Sequence, residues 1–244
     1  RQRSENRGFG VVAYLEGTNL VAAYGVVPIL HECSVEVEKG ELAVIVGPNG
    51  AGKSTVMRVL LGMLEATAGE VKLDGQDIST LSTQERISLG LAFVPQNKNV
   101  FPSMTVEENL EMGAFLRTDD IKKTMEEVYN LFPILYEKRR QLAEELSGGQ
   151  RQQVAFGRAM MTRPSVMLLD EPTAGVSPIV MDEIFSNILD VRDAGMAVLM
   201  VEQNAQQALN IADKGYVLVS GRNEHTGTGR ELINDSEVRK KFLG

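Results

Sequence analysis

The sequence predicts an α/β fold with a mostly parallel core sheet, an antiparallel β portion and an inserted α-helical subdomain. Three observations carry this. The runs AVIV at 43–46 and VMLL at 166–169 contain no polar residue, as in parallel strands covered on both faces. Upstream, Cys33, Val35 and Val37 alternate with Ser34, Glu36 and Glu38, the period of a strand with one buried face. Between Gln96 and Ser147 the apolar spacing changes to that of helices.

Taken in order, residues 1–17 read as an N-terminal extension, in part a leftover of expression. The antiparallel strands are expected near 20–37 and 70–73, with Cys33 as a small core residue on an inner face. Strand 43–46 runs into Gly47-Pro-Asn-Gly-Ala-Gly-Lys-Ser-Thr55. A glycine-rich turn between a buried strand and a helix lets backbone N–H groups wrap phosphates at the helix N-terminus. Gly47, Gly50 and Gly52 allow the close approach, with Asn49 and Thr55 completing the loop. Lys53 brings an ammonium to the β and γ phosphates, and Ser54 a hydroxyl to Mg²⁺.

The second buried strand ends in Asp170-Glu171-Pro172, so two carboxylates emerge at the strand end where open α/β sheets bind ligands. Asp170 supplies a hard oxygen for Mg²⁺; Glu171 is placed to accept a proton from an attacking water. Ser147 and Gln150 in LSGGQ form a capping box, which makes Ser147 the start of a helix whose Gly148 and Gly149 leave N–H groups open to an anion. Thr105 and Glu108 form another, opening a helix to about Leu116. Ile121, Met125, Val128 and Phe132 then space an apolar stripe. The helical subdomain is expected at about 97–160, and a last helix near 235–242.

Composition narrows the function. The 244 residues, 43% hydrophobic, suffice for one core with a subdomain. No stretch approaches the ~20 apolar residues that span a bilayer, and the polar start RQRSENRGFG lacks a signal-peptide pattern. A net charge of −8 without a Lys/Arg cluster argues against a nucleic-acid partner. One cysteine forms no internal disulfide, which fits a reducing compartment. His31 and His225 lack metal-ligand spacing and read as surface residues.

Together, GPNGAGKST, FVPQ ending at Gln96, LSGGQ and VMLLDEP resemble, in that order, the ATPase subunit of ABC transporters, over residues 18–221. The resemblance implies a P-loop NTPase fold of the ABC type over 18–244 and a Mg-dependent ATPase with ATP and Mg²⁺ as cofactors. TVEENLEMGAF, EPTAGVSP, VEQNAQQALNIADKGYVLVSGR and the ending EVRKKFLG are similar to the LivF-type ATPases of branched-chain amino-acid importers. In such proteins two ATPase domains meet head to tail, so Ser147, Gly148 and Gly149 would contact the γ-phosphate held by the partner, and Gln150 belongs to the same motif. Tyr24 in AAYG would stack on adenine, and Gln96 would reach Mg²⁺ through its carbonyl oxygen. The segment 97–105 would receive a helix from a membrane permease subunit. The implied partners are permease subunits, a second ATPase of LivG type or a second copy, and indirectly a solute-binding protein, with the chain peripheral on the cytoplasmic face of the cell membrane. Two positions depart from the pattern. Gln203 stands at the switch histidine, where an amide can donate a hydrogen bond to the γ-phosphate without shuttling a proton, and Ser177 stands at an aspartate. Gln203 is therefore a candidate catalytic residue beside Glu171. The leading reading is an ATPase energising import of branched-chain or related amino acids. A soluble non-transport ATPase of the same type, an importer of another small polar solute such as urea, and an ATP-sensing module remain as alternatives, the last opposed by Glu171.

Overall fold

The computed structural model describes residues 14–97, 99–115 and 117–243. Strands β1 (Leu15–Tyr24) and β2 (Val27–Val37) form a hairpin in an antiparallel sheet ordered β2-β1-β4-β5, completed by β4 (Ala68–Leu73) and β5 (Gln76–Asp77). Because β1 begins at Leu15 and pairs there with Val37 and Leu73, the folded unit starts before residue 18. The expected extension over 1–17 is corrected at its end: its last residues belong to β1, and 1–13 lie outside the described residues.

The second sheet has six strands in the order β10-β9-β3-β8-β7-β6. They are β3 (Leu42–Val46), β6 (Leu91–Val94), β7 (Val166–Asp170), β8 (Ala197–Val201), β9 (Lys214–Val219) and β10 (Arg222–Gly227). All neighbours pair in parallel except the β9–β10 hairpin. Every residue of β3 and β8 is buried, which is why these strands read as unbroken apolar runs. Alternate side chains serve two cores. Leu42, Val44 and Val46 point into a cluster shared with the helices, whereas Ala43 and Ile45 join one between the two sheets. Cys33 is fully buried in the latter, and burial pushes its thiol up to about 12, so it is inert.

Helix α1 (Lys53–Leu60) follows the glycine loop and packs between the sheets. Its last carbonyls are tied down from α2 (Thr83–Ser88), where the buried Arg86 donates to Val59 O at 2.7 Å and Leu60 O at 2.8 Å, and also to Leu81 O and Ser79 O. Four carbonyl acceptors replace the water that burial removes from this guanidinium.

The helical subdomain comprises α3 (Val106–Gly113), α4 (Lys122–Leu131), α5 (Pro133–Glu137) and α6 (Gly148–Met160). The capping boxes at Thr105 and Ser147 both form, and Val128 and Phe132 of the stripe are buried. Helix α3 ends at Gly113, short of the expected 116, and Leu116 lies outside the described residues. At Gly113, α3 meets the backbone of α6, since a Cβ there would stand 2.1 Å from Arg158 O. Beyond it Arg117 bonds to Asp119 and to Met161 O, turning the chain back.

Helices α7 (Pro178–Asp193), α8 (Ala205–Ile211) and α9 (Gly229–Asn234) complete the parallel sheet's cover. The expected last helix is a short one, α10 (Ser236–Val238), continued by a π-helical turn at Arg239–Leu243, with Val238 and Phe242 packed on the helix-side core. His225 is not the surface residue expected: it is half-buried in β10, its Nε2 enclosed, beside Glu224 and Glu237. Lys241 already pairs with both of those carboxylates.

Candidate functional site

Strand order gathers the site. β3, β8 and β7 are neighbours running in the same direction, so their C-terminal ends deliver the glycine loop, Glu202-Gln203 and Asp170-Glu171 to one edge. Gly47 is required by crowding, because a Cβ there would lie 2.2 Å from Leu218 O of β9. A concavity beside the loop is lined by Asn49, Gly50, Ala51, Gly52, Lys53, Ser54, Thr55 and Glu171, with Ile29 of β2 as a wall. A second, adjoining one is lined by Gly47, Pro48, Asn49 and Gln203 together with Ala205, Lys241 and Phe242.

Within this edge the polar groups find one another. Lys53 is buried, its ammonium donating to Gly47 O at 2.8 Å and Pro48 O at 3.2 Å. Burial lowers its pKa, while Glu171, Asp170 and Glu202 oppose that shift. The Ser54 hydroxyl donates to Asp170 Oδ1 at 3.2 Å. Burial raises the Asp170 carboxyl, and the Ser54 bond together with Arg58 and Lys53 pulls it back. Gln96 Nε2 donates to Glu171 Oε2 at 2.9 Å, and Gln203 Nε2 to Asn49 Oδ1 at 3.4 Å. Glu171 itself occupies a left-handed conformation, φ 46°.

Two sets of expected residues are not drawn into this edge. Ser147 and Gln150 bond to each other, Oγ accepting from the Gln150 N–H and Oε1 from the Ser147 N–H, both at 3.2 Å. No hydrogen bond among the described residues joins 146–150 to 47–55. Gly149 packs on α7 instead, where a Cβ would lie 2.5 Å from Glu183 Oε2. Tyr24 stands at the tip of the β1–β2 hairpin, 42% exposed, its hydroxyl accepting from Arg58 Nη1 at 3.1 Å. It does not line the phosphate concavity, and its part-exposed ring has the guanidinium of Arg58 6.0 Å from its centroid. Gln96 has its amide nitrogen engaged with Glu171, while its carbonyl oxygen takes a long 3.5 Å bond from Asn97. Ser177 is exposed at the start of α7 and caps nothing with its side chain.

Sequence reasoning gave no role to Glu202, Thr173 or Ile29. Glu202 was detectable as a charged residue directly following a wholly apolar parallel strand, a position where burial is to be expected. Among the described residues no helix is long and apolar enough to cross a membrane.

Comparison with known proteins agrees with this geometry. Residues 30–174 match the family described as "ABC transporter". The chain is 43% identical to the high-affinity branched-chain amino acid transport ATP-binding protein BraG of Pseudomonas aeruginosa, across 91% of this chain and 95% of that one. It is 38% identical to the probable branched-chain amino acid transport ATP-binding protein LivF of Archaeoglobus fulgidus, across 94% and 98%. The lipopolysaccharide export system ATP-binding protein LptB of Haemophilus influenzae is 33% identical, across 96% and 98%. A crystal structure of an ABC-transporter ATP-binding cassette in its ADP conformation superposes with a TM-score of 0.85 at 30% identity, covering 96% of this chain and 99% of that one. With the glycine loop, paired carboxylates and signature helix arranged on an α/β cassette, the chain belongs to the ABC transporter family, as an ATP-hydrolysing ATP-binding subunit.

Proposed function

We propose that this subunit binds ATP with Mg²⁺ at the 47–55 loop and hydrolyses it when a second ATPase chain docks its signature helix on the γ-phosphate, driving uptake of branched-chain or related amino acids. The observation that carries the proposal is the division of the site. Nucleotide-handling residues meet through Ser54–Asp170 and Gln96–Glu171, while the signature residues are capped locally and, among the described residues, make no hydrogen bond to their own loop.

The oxygen donors fit a hard cation: a hydroxyl and a carboxylate converge at 3.2 Å, the chemistry Mg²⁺ accepts. Ser54 and Asp170 would hold it, with Gln96 joining through its carbonyl oxygen if its amide releases Glu171. A bound Mg²⁺ would supply charge neutralisation to the transferring phosphate. Lys53 gives up two carbonyls to meet the same phosphates. Glu171 orients the attacking water and takes its proton, and Gln203 donates an amide hydrogen bond to a γ-phosphate oxygen. Asn49, Gly50, Gly52 and Thr55 cradle the phosphates, and Tyr24 offers its part-exposed ring to the adenine. Without an imidazole at 203, turnover should be slower than a histidine there would give.

The importer reading draws support from the two relatives named for branched-chain amino acid transport, at 43% and 38% identity, whereas those named for lipopolysaccharide export are 33% and 32% identical. Expected partners are membrane permease subunits that dock near 97–105, a facing ATPase of LivG type or a second copy, and, indirectly, a solute-binding protein. The chain then sits peripherally on the cytoplasmic face of the membrane. Phe101 at the docking segment is 40% exposed, with the guanidinium of Arg158 5.0 Å from its ring. The buried Asn109 holds this segment by bonding to Phe101, Met104 and Thr105.

Affinity purification of the chain from gently solubilised native membranes tests the assignment. Retention of two permeases with a second ATPase, and a binding protein that takes up leucine-like ligands, is the expected result. Co-purification with lipid-export components would overturn the import assignment.

A further inference from the structure

The buried group that this mechanism leaves unused is Glu202. It follows β8 directly, is 2% exposed, and its own N–H donates to Ile45 O of β3. One carboxylate oxygen accepts twice from Thr173, from the N–H at 3.0 Å and from the hydroxyl at 2.8 Å. The other accepts from the N–H of Gln203 at 3.1 Å. Thr173 is itself buried, two residues after Glu171.

We propose that Glu202 is a positioning residue for ATP hydrolysis: its carboxylate ties the loop that carries Glu171 to the backbone of Gln203, fixing both against one phosphate. This rests on the roles assigned above to Glu171 and Gln203. The need for such a tie is visible at Glu171, whose left-handed backbone (φ 46°) is unfavourable for a residue with a side chain and persists only when its surroundings enforce it. Two anchors do so: the Glu171 N–H bonds to Val201 O at 2.9 Å, and Glu202 grips the loop two residues later. Without the second anchor, the strained residue can relax and carry the base away from the water it must deprotonate. The carboxylate accepts only neutral donors; its charged neighbours are Glu171 and Lys53. Burial pushes its pKa upward and the three hydrogen bonds oppose that. Burying a carboxylate is costly, and a merely space-filling position would not require one.

The test uses the assembled complex isolated from membranes, with steady-state ATPase kinetics, ATP affinity and thermal melting of each variant. Glu202→Ala should lower kcat about 10- to 100-fold with KM changed less than about threefold, the signature of a lost transition-state arrangement rather than lost binding. Glu202→Gln retains an acceptor for Thr173 but turns an amide nitrogen toward the Gln203 N–H, so a smaller loss of about 3- to 10-fold is expected; it also serves if the alanine variant fails to assemble. Thr173→Val should resemble Glu202→Gln. In a Glu171→Gln background, Glu202→Ala should cost clearly less than it does in the wild type, no more than about tenfold in a single-turnover assay, because the base it positions is already gone and only the placement of Gln203 is left to lose. If Glu202→Ala leaves kcat within twofold, or its loss multiplies fully with that of Glu171→Gln, the proposal is wrong. If Glu171→Gln itself keeps wild-type hydrolysis, the assignment of Glu171 fails first, a distinguishable outcome.

Discussion

The phosphate-loop edge and the signature helix, both assigned to phosphate in the proposed function, are held in opposite ways. Around the loop, bonds run between residues far apart in the chain: Ser54 to Asp170, Gln96 to Glu171, Gln203 to Asn49, Glu202 to Thr173. At the signature, Ser147 and Gln150 satisfy each other within one helical turn. The first region is made by the tertiary fold and is ready to receive a nucleotide; the second is a presented surface whose local chemistry keeps it in shape whatever faces it. On the proposed function, the contrast separates binding, which one chain can do, from hydrolysis, which would need a second.

The largest expected effect targets the presented surface. Ser147→Asp preserves an N-cap of equal quality while turning a carboxylate toward the γ-phosphate of the facing chain. A like-charge contact costs several kcal/mol, so ATPase turnover of the assembled complex should fall at least about 100-fold. Nucleotide titration of the isolated chain should shift by less than about twofold. Next, Arg86→Leu removes the guanidinium from four carbonyls, two of them at the end of α1, of which Val59 O keeps its bond from the Gly62 N–H. Chemical denaturation should show a loss of about 2–3 kcal/mol, with weakened ATP binding, since the loop's own helix is loosened. Gln203→Ala should then lower kcat about tenfold, near the ~1.5 kcal/mol of one hydrogen bond to a charged acceptor, and Gln203→His should raise it. Unchanged turnover in the alanine variant would mean that the amide touches nothing in the transition state. Thr105→Ala, which removes a local cap, should cost only about 1 kcal/mol by the same denaturation assay and leave ATP affinity alone.

What the sequence made legible follows the same division. The glycine loop, the capping boxes at 105 and 147 and the apolar strands were readable because each is decided within a few neighbouring residues. Arg86 was not, because nothing on α2 announces that carbonyls of α1, 26 and 27 residues away, will be its acceptors. The role of Glu202 was hidden for the same reason: its partner Thr173 lies 29 residues upstream on another strand's exit. The expected end of α3 overshot because Gly113 is fixed by contact with α6, a tertiary constraint the capping pattern does not contain. His225 looked like a surface residue because its enclosure comes from the packing of the C-terminal segment. The start of the domain was placed late because the polar positions of β1, Glu16 and Thr18 among them, blur its first residues into the preceding polar segment.

The central claim, that one chain's signature completes another chain's nucleotide site, is tested most directly by arranging two lesions in cis and in trans. Complexes would carry Ser147→Asp in this chain together with loss of the phosphate-loop lysine, placed either in this same chain (Lys53→Ala) or in the facing one. With the lesions on different chains, both fall in one composite site and the other stays whole, so measurable ATP hydrolysis is predicted to remain. With both lesions on this chain, each composite site is damaged and hydrolysis should vanish. The reverse pattern, activity with both lesions on one chain and none when they are divided, would show that each site is completed within its own chain and contradict the account.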